Sequence, residues 1–312
     1  MNKQYLLLNK NVLNFKDYCN HHFMDVLEHI LSKSQPISET TDFDSGIFKK
    51  SYLNKKKPVL LKGYANNWNA TKKWNLDFLS ELEVKDDVIL EIGSNNQSDT
   101  SFTHQKLKAF IESVKQNRHD NGKPPAYLTL FEIFRLFPHL KEDVDFSIFT
   151  KYTKVNDIYA WVGPKDTVTG FHYDTLNNLL AQVMGEKLVV LVSPKHNKKM
   201  YISKKYDLGA VSSEVDVNNF NEESYPNFKD VEFLSVVLKP GDVLFIPKKW
   251  WHYVKSVDTS ISVNNFGALL SDIIFTKPKE IIKHSLHCRG YYRSKNNCTC
   301  HMVVDGEVIN RF

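Results

Sequence analysis

Cysteine is scarce, with four in 312 residues. One is isolated at Cys19 and three fall near the end, which excludes the disulfide framework of a small secreted domain and fits a reducing compartment. No apolar run approaches the ~18 residues of a membrane-crossing helix. The first residues, MNKQYLLLNKN, carry an apolar patch of only four residues and no small-residue cleavage site, so no secretory signal is expected. Charge of one sign is modest as well. The net charge of +5 and pI near 8.7 stay below the pI of about 9 that would by itself suggest a nucleic-acid-binding domain. Internal repeats, low-complexity tracts and cysteine-rich reader modules are absent. These absences point to an intracellular, cytoplasmic protein without membrane partners, or a nuclear one if the source is eukaryotic. The length suits one large β domain with helical additions, or at most two domains.

What is present is a His-x-Asp pair, His172 and Asp174, answered downstream by His252 inside GDVLFIPKKWWH. In an extended chain, residues two apart share a face, so His172 and Asp174 point the same way. The run LLAQVMGEKLVVLVSP that follows reads as a strand ending at Pro194. Val236 to Pro247 reads as strand, Pro-Gly-Asp turn and second strand, which leaves His252 at a strand end beside Trp250 and Trp251. SVDTSISVNNF supplies a further strand. Short strands divided by turn residues suggest an antiparallel barrel or two-sheet roll, whose mouth is a common ligand site. Two imidazoles and a carboxylate are the donor set with which non-haem Fe(II) oxygenases hold one face of the metal. A lone HxD arises easily by chance, as a core histidine beside a turn-capping aspartate. The later His252 and a lysine, Lys187, inside an apolar strand shift the balance, because a buried lysine calls for an anion.

The segments WVGPKDTVTGFHYDTLNNLLAQVMGEKLVVLVSP and LKPGDVLFIPKKWWHYVKSVDTSISVNNF resemble the two core motifs of the jumonji-C (JmjC) oxygenases. The likeness is closest to the small hydroxylase branch, which holds asparaginyl and arginyl hydroxylases and a wybutosine tRNA hydroxylase. KKPVLLKGYANNWNATKKWNLDFL is similar to that branch's entry segment, so the resemblance spans roughly residues 45 to 270. It implies a mainly β fold with flanking helices, a double-stranded β-helix of the jelly-roll or cupin type. It further implies Fe(II), 2-oxoglutarate as cosubstrate, and O2, with ascorbate in support. His172, Asp174 and His252 would be the iron ligands. Lys187, Tyr127 and Thr169 match positions that hold the distal carboxylate of 2-oxoglutarate, and Asn178 and Asn264 match polar positions lining its pocket. The reaction implied is oxidative decarboxylation to succinate and carbon dioxide coupled to hydroxylation of a C–H bond. Metal-binding germin-type cupins carry His-x-His where this chain has His-x-Asp.

Three regions are expected: an N-terminal helical segment and linker over 1–45, the cupin-like domain over 46–275, and a C-terminal helical lobe with cysteines and histidines over 276–312. Helices are expected near Phe15 to Lys33, after Asn75 as cap, over Lys106 to Gln116, over Leu128 to Leu140, and after Leu270. The segment from Gly209 to Pro226 reads as a polar loop across the mouth. Cys288, Cys298, Cys300, His284, His287 and His301 offer zinc-type donors, but their spacing matches no standard finger, and small buried thiols are the plainer expectation. Trp250 and Trp251 are expected mainly to pack, and Lys248-Lys249 to lie at the rim, positioned to steer an acidic peptide or an RNA backbone. The expected substrate is a protein side chain of Asn, Arg or His. A modified tRNA nucleoside and a methylated lysine are the enzymatic alternatives, and an inactive binding protein the non-enzymatic one. The segment after Leu270 is expected either to cover the barrel or to build a homodimer interface.

Overall fold

The computed structural model describes residues 26–93, 101–116, 125–295, 298, 300–304 and 307–310. Phe15, Tyr18 and Phe23 of the expected first helix lie outside the described residues, and its described part is helical over Val26–Lys33. In chain order the strands begin with β1 (Gln35–Pro36), β2 (Glu39–Thr40), β3 (Val59–Leu61), β4 (Val88–Ile92), β5 (Ser101–Gln105), β6 (Ala126–Phe131), β7 (Val155–Gly163) and β8 (Val168–Asp174). They continue with β9 (Asn177–Met184), β10 (Lys187–Val192), β11 (Ala210–Ser212), β12 (Phe233–Leu238), β13 (Val243–Ile246), β14 (Trp251–Ser256), β15 (Ser260–Ala268), β16 (His301–Val304) and β17 (Glu307–Asn310). A six-stranded sheet has the order β1-β12-β10-β14-β8-β11, and a nine-stranded sheet the order β2-β3-β13-β9-β15-β7-β6-β4-β5. Mostly antiparallel pairing in two mixed sheets, with helices on the flanks, is the jelly-roll architecture the sequence implied.

Side-chain alternation explains why these strands form a roll with a polar heart. On β10, Leu188, Val190 and Val192 join Phe171, Trp251 and Tyr253 in one outer cluster, while Val189 and Leu191 turn inward to meet Leu180, Leu238 and Leu244. Lys187 shares the inward parity of Val189 and Leu191, so the strand carries its ammonium into the interior. On the nine-stranded sheet, Leu179, Ala181, Val183, Ala160, Val162, Ile261 and Val263 face an outer cluster completed by Phe48, Trp74, Phe110 and Phe149 from the helical segments. Asn178, Asn264, Tyr159 and Trp161, with the opposite parity, line the interior cavity.

Three expectations change. The run LLAQVMGEKLVVLVSP is two strands in opposite sheets, joined at Gly185 with φ of +69°. Leu128 to Phe131 is strand rather than helix, because this stretch pairs with β7 at Val162 and Ala160, and only Ile133–Leu136 and a 3-10 turn at Pro138–Asp143 coil beyond it. Within the expected loop after Gly209, Ala210–Ser212 extends the small sheet beside β8. The Asn75 cap forms, its side chain accepting from the Phe78 N–H at 2.8 Å. Beyond Leu270, a helix spans Lys277–Cys288, and Phe275, Ile281 and Ile282 of this segment are at least 60% exposed. No helix among the described residues is long and apolar enough to cross a membrane.

Gly185 makes the crossover between the sheets testable. A Cβ there would sit 2.1 Å from the Thr259 carbonyl oxygen, on a backbone with φ of +69°. Left-handed strain and overpacking together cost on the order of 2–4 kcal/mol. Gly185→Ala is therefore expected to lower the melting temperature by roughly 5–15 °C in a domain of this size. An unchanged melting temperature would show that the turn has room to relax.

Candidate active site

β8 and β14 are antiparallel neighbours, and His172 stands directly opposite His252 in their register. The two imidazole centroids are 4.0 Å apart. Asp174 lies two residues along β8, on the face of His172, as the period of two requires. Between the His172 and Thr169 pairings the register shifts by one residue, a β-bulge that lets Thr169 line the same cavity although it stands at odd spacing from His172. The Lys249 N–H donates to the Asp174 carbonyl at 2.9 Å, drawing the turn before His252 against the HxD strand.

Each ring has its tautomer fixed by a carbonyl, which only accepts. His172 Nδ1 donates to Gly170 O at 2.9 Å and His252 Nδ1 donates to Trp250 O at 3.0 Å. With Nδ1 of each ring donating to a carbonyl, Nε2 is the atom left to serve as a ligand. His252 is held well below the ordinary imidazole value by burial and by the charge of His172. Burial pushes the Asp174 carboxyl up to about 6, against the opposing pull of His172 and an Asn178 hydrogen bond, so it is ionised at neutral pH. Asp174 Oδ2 is buried, has no hydrogen-bond partner among the described residues, and lies 3.4 Å from His252 Nε2. A carboxylate oxygen facing an imidazole lone pair at that range is repulsive until a cation lies between them. The donor atoms of His172, Asp174 and His252 all fall within 4.8 Å of one another, and two nitrogens with one carboxylate suit a metal that keeps open positions.

Deeper in the roll, Lys187 is 1% exposed. Its Nζ donates to Tyr127 Oη at 2.8 Å and to Ser262 Oγ at 2.7 Å, neither of which carries charge. Desolvation pushes its pKa down to about 7, while burial and the charge of Glu91 push the Tyr127 phenol up. An ammonium so placed is a receptor for an anion. Asn264 Nδ2 donates to Asn178 Oδ1 at 2.9 Å, bridging β15 to β9 at the same level. Tyr127, Thr169, Asn178, Lys187 and Asn264 all line one cavity of about 1620 Å³ together with the three metal-type ligands. That exceeds the ~300–1000 Å³ of ordinary small-ligand pockets.

Other expectations resolve into packing. Trp251 is fully buried in the outer cluster, with its Nε1 donating to Asn197 Oδ1 at 2.7 Å, and Trp250 donates to Lys56 O at 3.0 Å. Lys248 does not stand free at the rim, because its ammonium is tied to the buried carboxylate of Asp272. Residues missed from the sequence are Ser262, which shares the face of Asn264 two positions on, and the alternating Asp157, Tyr159 and Trp161 of β7. All three β7 residues line the cavity, and Trp161 Nε1 has no hydrogen-bond partner among the described residues. Period-two spacing from Asn264 carries the signal for Ser262. For β7 the signal is legible only once its pairing with β15 is known.

A family model described as a cupin-like domain matches residues 45–266. The lysine-specific demethylase 8 of Xenopus tropicalis is 32% identical over 223 residues, covering 70% of this chain and 49% of the relative. JmjC domain-containing protein A of Dictyostelium discoideum is 31% identical over 232 residues, covering 70% of this chain and 90% of the relative. The tRNA wybutosine-synthesizing protein 5 of Homo sapiens is 28% identical over 241 residues, covering 71% and 74%. The match spans about half the length of the frog relative.

Proposed function

The chain belongs to the cupin-like JmjC family, and on that premise we propose that it is an Fe(II)- and 2-oxoglutarate-dependent dioxygenase oxidising a C–H bond of a protein side chain. The observation that carries this reading is the convergence of two imidazole nitrogens and a carboxylate oxygen without a hydrogen-bond partner among the described residues, all within 4.8 Å, beside a buried lysine whose two hydrogen-bond partners are uncharged. In this reading His172, Asp174 and His252 hold the metal. Lys187, Tyr127, Thr169 and the newly found Ser262 hold the distal carboxylate of the cosubstrate, and Asn178 and Asn264 fix its flank. When bound, iron and 2-oxoglutarate supply an O2-driven oxidation that yields succinate and carbon dioxide, with ascorbate keeping the metal reduced. The chain's part is to position the donors, neutralise the cosubstrate's charge at Lys187, and keep the reacting carbon in a dry pocket.

The β7 face favours a basic target. Asp157, Tyr159 and Trp161 alternate along the cavity wall, and Tyr159 pairs across the strands with Asn264. A carboxylate beside aromatic faces attracts a guanidinium or an alkylated ammonium, whereas it repels a phosphate backbone. Arginine hydroxylation and the demethylation of a methylated lysine both satisfy that chemistry, and they differ in substrate rather than in metal site. A modified tRNA nucleoside is the second reading, favoured by the likeness to the human wybutosine-synthesizing protein. Mass spectrometry of peptides and tRNA treated with the wild-type protein or with Asp174→Ala separates them. A wild-type-dependent gain of one oxygen on arginine peptides, or loss of a methylene from methyl-lysine peptides, is expected. Modification confined to tRNA would overturn the protein-substrate reading.

A further inference from the structure

A second convergence of ligand atoms stands in the C-terminal lobe, outside the cavity. His287 Nε2, from the end of the helix Lys277–Cys288, meets Cys298 Sγ, Cys300 Sγ and His301 Nδ1 with all four atoms within 4.8 Å of one another. His301 Nδ1 lies 3.2 Å from His287 Nε2, 3.2 Å from Cys298 Sγ and 3.3 Å from Cys300 Sγ. Metal–nitrogen bonds of ~2.0 Å and metal–sulfur bonds of ~2.3 Å in a tetrahedron give edges of about 3.3 Å for N···N and 3.5 Å for S···N. The observed separations are close to those edges.

Hydrogen bonding does not account for the cluster. One ring nitrogen carries either one proton or one lone pair, yet His301 Nδ1 has three partners at contact distance. His287 Nδ1 donates to the Tyr292 carbonyl at 2.8 Å, which leaves Nε2 as a lone pair aimed at the other three atoms. His287, Cys300 and His301 are at most 8% exposed, so water does not complete the set from outside.

We propose that His287, Cys298, Cys300 and His301 bind a structural Zn(II), distinct from the iron triad. Two thiolates and two imidazoles in a closed tetrahedron form a site that selects zinc and leaves no position for substrate. The lobe needs such a staple. Among the described residues β16 and β17 pair only with each other, and an isolated two-stranded hairpin is marginal in water.

The position of the cluster gives the staple a further consequence. The Tyr206 ring stacks on His287 with centroids 4.1 Å apart, and its backbone bridges to Cys298. Arg293 donates to the Ser203 carbonyl at 2.9 Å. The segment they grip leads into β11, which pairs with β8 at His172 and Asp174. Asp207 and Leu208 from this segment, and Glu280 and His284 from the helix, line the cavity. Zinc in the lobe therefore fixes one wall of the substrate cavity without touching the iron ligands.

The test uses the full chain purified from zinc-supplemented medium. Elemental analysis is expected to find about one zinc per chain, retained in His172→Ala and lost in the Cys298→Ser/Cys300→Ser double variant. Cobalt exchanged into the wild type is expected to give a thiolate-to-cobalt charge-transfer band, so the result stands even where the double variant fails to fold. Native wild type without zinc, whose Cys298 and Cys300 alkylate freely or form a disulfide with each other, would overturn the proposal. Because the readouts are zinc and cobalt, failure here leaves the iron site untouched, and loss of the iron site leaves this one standing.

Discussion

Lys187→Ala is expected to raise the 2-oxoglutarate concentration for half-maximal succinate release by roughly 30-fold or more. Removing one partner of a buried charge pair costs about 2 kcal/mol or more, which sets that factor. Fe(II) affinity should change by no more than about threefold, since the ammonium binds Tyr127 and Ser262 rather than the triad. The same geometry fixes a pH dependence. Burial pushes Lys187 down to about 7 in the ligand-free protein, and only the ammonium pairs with a carboxylate. Above pH 7 cosubstrate binding must take up a proton, so affinity falls by about tenfold per pH unit, while below pH 7 it levels off. Anaerobic titrations from pH 6 to 9 are expected to show that slope in the wild type and its absence in Lys187→Ala. An unchanged KM in the variant would remove Lys187 from the cosubstrate site.

His172→Ala and Asp174→Ala should each lower succinate release by at least about 100-fold. Loss of a mere outer-shell partner of a metal costs about 10–100-fold, and these side chains are the donors themselves. Neither variant should unfold. His172 and Asp174 line the cavity and belong to none of the hydrophobic clusters, and removing Asp174 relieves the contact between its Oδ2 and His252 Nε2 at 3.4 Å. Melting temperatures in the absence of metal are therefore expected to hold or rise in Asp174→Ala. A large fall would mean that the trio serves the fold and not a metal.

How much of this was legible from the chain depends on the range of each signal. His172, Asp174 and Lys187 were visible because alternation and a charge within an apolar strand are local facts. The role of Gly185 was not, since the apolar residues run on from Leu179 to Val192 on both sides of Gly185-Glu186-Lys187, which is not one of the strong turn pairs, so nothing marks that β9 and β10 leave for different sheets. Leu128 to Phe131 mimicked a helix because the apolar residues around them recur at helical spacing, and pairing with β7 overrode that spacing. Asp157, Tyr159 and Trp161 gained meaning only from the register that sets Tyr159 opposite Asn264. The His287 and Cys298 to His301 donors lie at no standard zinc spacing, and it is the return of the chain from the helix end to β16 that brings them together.

The central claim is that His172, Asp174 and His252 form an iron site that turns over 2-oxoglutarate. Its most direct test is succinate formation by the purified chain with Fe(II), ascorbate and O2, measured beside the His172→Ala/Asp174→Ala double variant. The account predicts steady succinate release from the wild type, abolished by chelation or by the double substitution. Succinate release that survives the double substitution, or a wild type that loads Fe(II) and yet forms none, would contradict it.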